Sequence, residues 1–349
     1  MTDQFDILIA GAGLSGASSA LAMAKAGYSV GLIDQGSFAS GASGSGMALV
    51  SPMMSRKGRP VWRVREALDT LGLADTGLLR PASSPEQAAY FEQSTHMSPD
   101  LGVWLTGAEA REHFPYVIAP HGLVHVLRGY SADLATLTRS WIDEAIQHGA
   151  EAHEHVGVAS WEEHKDHVEA LLTTGKTVRA GRLLLATGPE LVDHPRTNML
   201  NLHPIKGQRI RVRKPDSWNY SILPLSGAGY ILDDGDYLSI GATFEHEWTA
   251  EGPTPEGRHE LLAQAAKMMP EVQDMEVVDH SAAIRVTVPG TRMPMIGPLP
   301  DSTRTWVFTG LGSKGILMAG LLGMKIPDFF NDLEAVPASC RVAIRKAID

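Results

Sequence analysis

The sequence predicts an α/β fold in two domains. One is a parallel-sheet domain assembled from separated segments of chain; the other is rich in antiparallel strands. Three observations predict it. The first 34 residues read strand, helix, strand; the middle reads as strand pairs around polar turns; the end returns to a buried strand, a glycine-rich turn and a helix. On this pattern residues 1–80, 130–200 and 286–349 build the first domain, and residues 81–129 and 201–285 build the second.

Residues 6–10 (DILIA) are an apolar run bounded by polar residues and Gly11, as a buried parallel strand requires. Residues 14–26 are rich in Ala, Leu and Met and stop at Gly27, a helix with a glycine C-cap. Residues 29–33 form a second strand ending at Asp34, which completes a βαβ unit. A loop of small residues, 36–46, leads to the apolar stretch 47–50. The chain then turns basic at Arg56, Lys57, Arg59, Arg63 and Arg65, with Trp62 as the one interleaved aromatic; this reads as a solvated helix face. Residues 134–148 have helical spacing, 156–159 and 168–173 read as strands around a polar turn at 162–166, and 183–188 read as a buried strand ending in small residues. Alternation over 208–213 gives a strand with one charged face, and 230–232 with 237–241 give a hairpin around the Asp-Asp-Gly-Asp turn. A helix over 261–269, a strand over 305–309 and a helix running to residue 324 complete the chain.

Composition excludes several classes. Thirty Lys and Arg against forty Asp and Glu give a net charge of −10, which disfavours a general nucleic-acid or anionic-membrane binder. One cysteine, Cys340, excludes an internal disulfide and a multi-cysteine cluster. It is expected in an Arg-containing helix away from the cofactor. The apolar stretches 7–26 and 307–327 are broken by glycines or lysines and read neither as a signal nor as a span, so a cytoplasmic protein without a membrane span is expected.

The chemistry sits in GAGLSG at 11–16. Gly11 permits the turn out of the strand, Gly13 lets a pyrophosphate approach the backbone at the helix N-terminus, and Gly16 lets helix and strand pack closely. Asp34, 18 residues past Gly16, ends the second strand where a carboxylate can hold a ribose hydroxyl. The first domain is therefore of Rossmann type. The loop Ala42-Ser43-Gly44-Ser45-Gly46 and the turn Leu185-Ala186-Thr187-Gly188 offer a second and third close approach, which favours the longer FAD over NAD.

GAGLSGASSALAMAKAG, the GASGSG loop, LLLATGP and the terminal FTGLGSKGILMAG resemble the D-amino acid oxidase (DAO) family of flavoproteins. Within that family, Gly241-Ala242-Thr243-Phe244, Arg285 followed by Met293-Pro294-Met295-Ile296-Gly297, and the 310–315 turn resemble the oxidase half of a bifunctional tRNA wobble-uridine enzyme, as well as glycine oxidase. The likeness covers most of the chain, weakens over 52–129, and finds no counterpart of the methyltransferase half. The resemblance implies an FAD-dependent oxidoreductase that oxidises the C–N bond of an amino acid or secondary amine by hydride transfer to flavin N5. It also implies the site. Gly11, Gly13, Leu14, Ser15, Gly16, Asp34, Gln35, Ala42, Ser43, Gly46, Met47, Val156, Ala186, Thr187 and Gly188 are expected to hold FAD, together with Gly312, Ser313, Lys314, Gly315 and Ile316. Arg285 is expected to fork onto a substrate carboxylate. Lys314, where many relatives carry arginine, is expected either to bind that carboxylate as a point charge or to offset negative charge on the cofactor. Tyr230 and Tyr237 are both placed to roof the substrate.

Residues 35–55 hold neither Cys nor His, so FAD is expected to be non-covalent. The pairs His153/His155 and His164/His167 have no third ligand nearby in sequence, so solvated turns are expected and no metal site. The expected partner is a small-molecule amine or amino acid. Two alternatives remain open: tRNA as the partner, through removal of a carboxymethyl group from an aminomethyl uridine, and a flavin-binding subunit or assembly factor without catalysis of its own.

Overall fold

The opening apolar run becomes the central strand of a sheet. The structure, a computed structural model, describes residues 1–218 and 221–345. Strand β1 (Gln4–Ala10) pairs in parallel with β2 (Val30–Ile33) on one side and with Thr177–Leu185 on the other. Helix α1 (Leu14–Lys25) joins β1 to β2 and is buried from Leu14 through Ala24. Only small and apolar residues tolerate burial on every face of a helix, and two of its three serines do so by bonding inward. Ser18 Oγ donates to the Leu14 carbonyl at 2.8 Å and Ser19 Oγ to the Ser15 carbonyl at 2.7 Å. One side of α1 packs on the helix Leu134–Gln147.

The chain divides into two compact units. The first contains Met1–Gly46, Leu134–Ile205 and the chain from Ile284 onward; the second contains Met47–Asp133 and Lys206–Ala283. The sheet of the first unit runs Met295–Pro298, Thr305–Thr309, Thr177–Leu185, β1, β2, Glu151–His153. All its neighbours on this path are parallel except the first pair. A hairpin of Val158–Glu163 and Val168–Leu172 adds antiparallel to Thr177–Leu185. Glu163 at the end of its strand accepts from the backbone amides of Thr303 (2.9 Å), Arg304 (3.1 Å) and Thr305 (3.2 Å), and from the hydroxyls of Ser302, Thr303 and Thr305.

The sheet of the second unit runs Val277–Thr287, His203–Arg213, Tyr237–Gly241, Tyr230–Asp234, Leu225–Ser226, Leu78–Pro81, Leu123–Val126, Gly102–Leu105. It is antiparallel where its registers are given, apart from the contact of Leu225 with Leu79. The expected alternation holds in His203–Arg213. Ile210 and Val212 are buried, while Arg211 pairs with Asp234 (2.7 Å) and Arg213 with Glu276 (3.1 Å) on the other face. Two helices absent from the sequence reading, Pro85–Met97 and Gly107–His113, start on side-chain caps. Ser84 accepts from the Gln87 amide, and Thr106 with Glu109 forms a capping box.

Four expectations are corrected. Residues 47–80 join the second unit, because Leu78–Pro81 hydrogen-bonds into its sheet and Met47–Val50 pairs with Tyr130–Asp133. The basic stretch is not a helix face: it is irregular until Val64, where the helix Val64–Leu71 begins after Arg63 in the left-handed region (φ 51°). Several of its cations are engaged, Arg65 with Asp100 at 2.7 Å, Arg63 with Glu66, and Lys57 over the Tyr90 ring. The expected 261–269 helix starts earlier, at Pro255, and ends at Ala265. The final helix is broken into a 3₁₀ turn (Gly312–Lys314), one α turn (Gly315–Met318) and a π segment (Ala319–Gly323). Among the described residues no helix is long and apolar enough to cross a membrane.

Candidate active site

Close packing dictates the glycines of the first turn. Gly11 has φ +100°, and a Cβ there would lie 2.5 Å from the Ala186 carbonyl oxygen; the 183–188 strand end crosses at this point, as its small residues suggested. A Cβ on Gly16 would overlap the Gly11 carbonyl oxygen. Gly13 serves as the N-cap of α1 without a side-chain cap of its own, and the first turn carries no acidic residue to offset the positive end of the helix dipole. Ser43, from the short turn Ala42–Gly44, reaches across and accepts from the Leu14 amide at 3.0 Å. The GAGLSG turn, the 42–44 turn and the Ala186-Thr187 crossing are thus one construction.

Asp34 is oriented by two backbone amides, Ala12 to Oδ2 at 2.7 Å and Gly36 to Oδ1 at 2.8 Å. Each oxygen keeps a lone pair for a hydroxyl. The Val156 amide donates to the Asp34 carbonyl at 2.8 Å, and a pocket opens alongside, lined by Gly11, Gln35, Val156 and Thr187 among the expected residues. Sequence reasoning missed the rest of its wall. Trp161 stacks on His194 (centroids 5.1 Å apart, planes 22°), and Glu190 completes the rim. Burial, and after it the Asp34 charge, pushes the Glu190 carboxyl above its ordinary range. The signal available in sequence was adjacency, since Glu190 follows the Thr187-Gly188 turn by two residues. A helix N-terminus with no acid in its first turn, a held carboxylate and a pocket walled by aliphatic side chains and aromatic rings fit a phosphate, a ribose and a flat base in that order. The residues present fit a dinucleotide.

The C-terminal glycine turn comes to the same place. A Cβ on Gly315 would meet Leu14 Cδ1 at 3.2 Å, so residues 301 apart in sequence adjoin at the start of α1. An antiparallel bridge, Thr287 with Leu311, ties this turn to the end of the strand that carries Arg285. Arg285 is half-buried and falls within the first unit's last segment rather than in the second domain. Lys314 is also half-buried and donates to the Arg292 carbonyl at 2.9 Å; burial, then the Arg292 charge, lowers the pKa of its ammonium. Ser15 is buried in α1, Ser313 exposed and Ile316 buried. Met47 opens the strand Met47–Val50 of the second unit, and Gly46 closes the first segment of the first.

Tyr230 and Tyr237 both lie in the expected hairpin. Tyr237 is already taken, with Arg211 at 4.4 Å and Arg213 at 5.3 Å from its ring centre. Cys340 is corrected twice. It sits in a 3₁₀ turn (Ala338–Cys340) rather than a longer helix, and it is near enough to Lys314 for that charge to act on it, although burial pushes its thiol up. The hairpin register brings a third residue, Glu169, to His164 and His167, with one ligand atom from each of the three lying within 4.8 Å of the others.

Residues 6–327 match the family described as DAO, FAD dependent oxidoreductase. The chain is 28% identical over 346 residues to the tRNA 5-methylaminomethyl-2-thiouridine biosynthesis bifunctional protein MnmC of Idiomarina loihiensis, covering 92% of this chain and 54% of that protein. It is 26% identical over 370 residues to a glycine oxidase of Pseudomonas aeruginosa, covering 95% of this chain and 96% of that one. The crystal structure of glycine oxidase from Bacillus cereus ATCC 14579 shares the fold, with a TM-score of 0.82 at 21% identity over 99% of this chain and 100% of that one. The chain spans about half the length of the bifunctional relative and nearly all of the glycine oxidase.

Proposed function

This chain belongs to the DAO family of FAD-dependent oxidoreductases, and from that premise we propose that it oxidises the C–N bond of a small amine that carries a carboxylate, an amino acid or an N-alkyl glycine. The observation that carries the reading is the Thr287–Leu311 bridge, which joins the segment of Arg285 to the turn of Lys314 beside the glycine cradle. The bound flavin supplies a two-electron acceptor at N5 for the hydride leaving the C–N carbon. The residues named above for FAD hold it non-covalently.

The protein's own part is positioning. Arg285 offers two parallel N–H donors to a carboxylate, and a strand fixes its Cα, so the amine end of the substrate is held at a set distance and angle. Lys314 sits where burial already disfavours its charge; an anion bound nearby would restore that charge, so it adds a point attraction without demanding a bidentate geometry. The glycine oxidase relatives support an amino-acid substrate.

The name of the bifunctional relative supports a second reading, in which the same oxidation acts on an aminomethyl uridine of tRNA. One experiment separates the two. The yellow protein is mixed anaerobically with glycine, N-alkyl glycines, proline, D-amino acids, a carboxylate-free amine and unmodified or carboxymethylaminomethyl-modified tRNA. Bleaching by carboxylate-bearing small amines is expected. Bleaching by the modified tRNA alone would transfer the function to the second reading, and no bleaching by any would leave a flavin-binding protein without this activity.

A further inference from the structure

We propose that His164, His167 and Glu169 form a binding site for one divalent transition-metal ion, zinc in the first instance, on the 158–172 hairpin of the first unit. The register builds it. Val168 lies opposite Glu163, and the His164 amide donates to the His167 carbonyl at 2.8 Å, so only Lys165 and Asp166 turn the chain and the two histidines face each other. Glu169, two residues beyond His167, projects to the same face of its strand. The imidazole rings stack with centroids 4.6 Å apart and planes 19° from parallel.

One ligand atom from each of the three side chains lies within 4.8 Å of the others. His167 Nε2 is 3.4 Å from Glu169 Oε1, and His164 Nε2 is 3.8 Å from Glu169 Oε2. In a tetrahedral zinc site with bonds of about 2.0–2.1 Å the ligand atoms stand about 3.3 Å apart, so side-chain rotation alone closes the gap. Two imidazoles and one carboxylate make a three-ligand set, which leaves a fourth position for water.

Two further observations point to a ligand rather than to a solvated turn. Asp166 Oδ1 is 2.8 Å from His167 Nδ1. A carboxylate there accepts a hydrogen bond from Nδ1–H, and in that tautomer the Nε2 lone pair faces Glu169 Oε1 across 3.4 Å, two donor atoms that a cation would join, the arrangement that orients histidine toward metals. His164 Nε2 is buried and makes no hydrogen bond among the described residues. Arg179 Nε contacts Glu169 Oε1 at 3.0 Å and leaves Oε2 to the cluster. The hairpin is also anchored beside its turn, since the residue before His164 is the multiply bonded Glu163. The ion would clip the two strands at their tip.

The test is equilibrium dialysis of the full FAD-loaded chain against Zn²⁺ at neutral pH, with metal read by atomic emission. Wild type and His153→Ala are expected to bind one zinc per chain. His164→Ala and His167→Ala are expected to bind at least tenfold more weakly, and Asp166→Asn about 10–100-fold more weakly. Zinc should raise the melting temperature of wild type and not of His164→Ala. His164→Gln and His167→Gln, which keep a polar side chain at the turn, guard against misfolding and should retain flavin colour while losing zinc. Zinc bound equally by wild type and the His164 and His167 variants, or not bound by wild type, overturns the proposal.

Discussion

At the scale of single residues, the glycines of the first turn separate two requirements that a motif merges. Gly16 answers to the protein's own backbone, because any side chain there meets the Gly11 carbonyl. Gly13 faces only the Ser43 hydroxyl, 2.9 Å from where a Cβ would sit, and a hydroxyl can rotate away. Gly16→Ala should therefore lower the melting temperature. Gly13→Val should leave far-ultraviolet circular dichroism intact and yield colourless protein; full yellow colour in that variant would show that the turn does not cradle the cofactor. Arg285 gives the second prediction at this scale. A forked, charge-assisted pair is worth about 1.5–3 kcal/mol, so Arg285→Ala should weaken a carboxylate-bearing substrate roughly 10–100-fold in anaerobic flavin reduction. Arg285→Lys should keep most of that loss, because the ammonium cannot fork. A carboxylate-free amine should be indifferent to both changes. Coincident curves for all three proteins with a carboxylate-bearing substrate would make Arg285 a structural residue.

At the scale of elements, the hairpin at 158–172 depends on one carboxylate. Burial alone would raise the Glu163 pKa, but hydrogen bonds from Ser302, Thr303 and Thr305 outweigh it and hold it at about 2, against an ordinary 4.5. A carboxylate depressed on folding adds stability above its unfolded pKa and loses it as pH falls through the folded one. Glu163→Gln should thus be about 2–3 kcal/mol less stable than wild type in urea at neutral pH. The difference should shrink from about pH 4.5 downward and vanish near pH 2; a constant difference across that range would mean the loss is packing and not charge. What the sequence made legible follows the same division between near and far. The βαβ unit, the helix at 134–148 and the 230–241 hairpin were readable because periodicity and turn residues are local. The strands Leu78–Pro81, Gly102–Leu105 and Leu123–Val126 were not, since each has four residues and no clean alternation. The Glu169 contact was hidden because the pair spacing of His164 and His167 carries no information until the register is known.

At the scale of the whole molecule, the cofactor's mode of attachment can be checked in one step. The chain has a single cysteine, buried in a 3₁₀ turn, and no cysteine or histidine in the 35–55 loop. Acid precipitation should leave all flavin in the supernatant, and colour on the pellet would contradict that reading. The domain boundary drawn at residue 80 failed for a reason of the same scale. No local signal in 47–80 marks the boundary, and pairing with the distant Tyr130–Asp133 and Leu123–Val126 assigns that stretch to the second unit. The segmented first unit has one more consequence, for the order of events during synthesis. A ribosome adds about 5–20 residues per second and releases the N-terminus first, so the GAGLSG turn emerges long before its neighbours. Thr305–Thr309, the strand beside Thr177–Leu185, and Gly315, which abuts Leu14, emerge about 300 residues later. All of the second unit, closed by Ala283, leaves the tunnel before them. The motif that announces the cofactor earliest in the chain must therefore wait for residues 305–315, so the cradle is completed only after the whole second unit has been made.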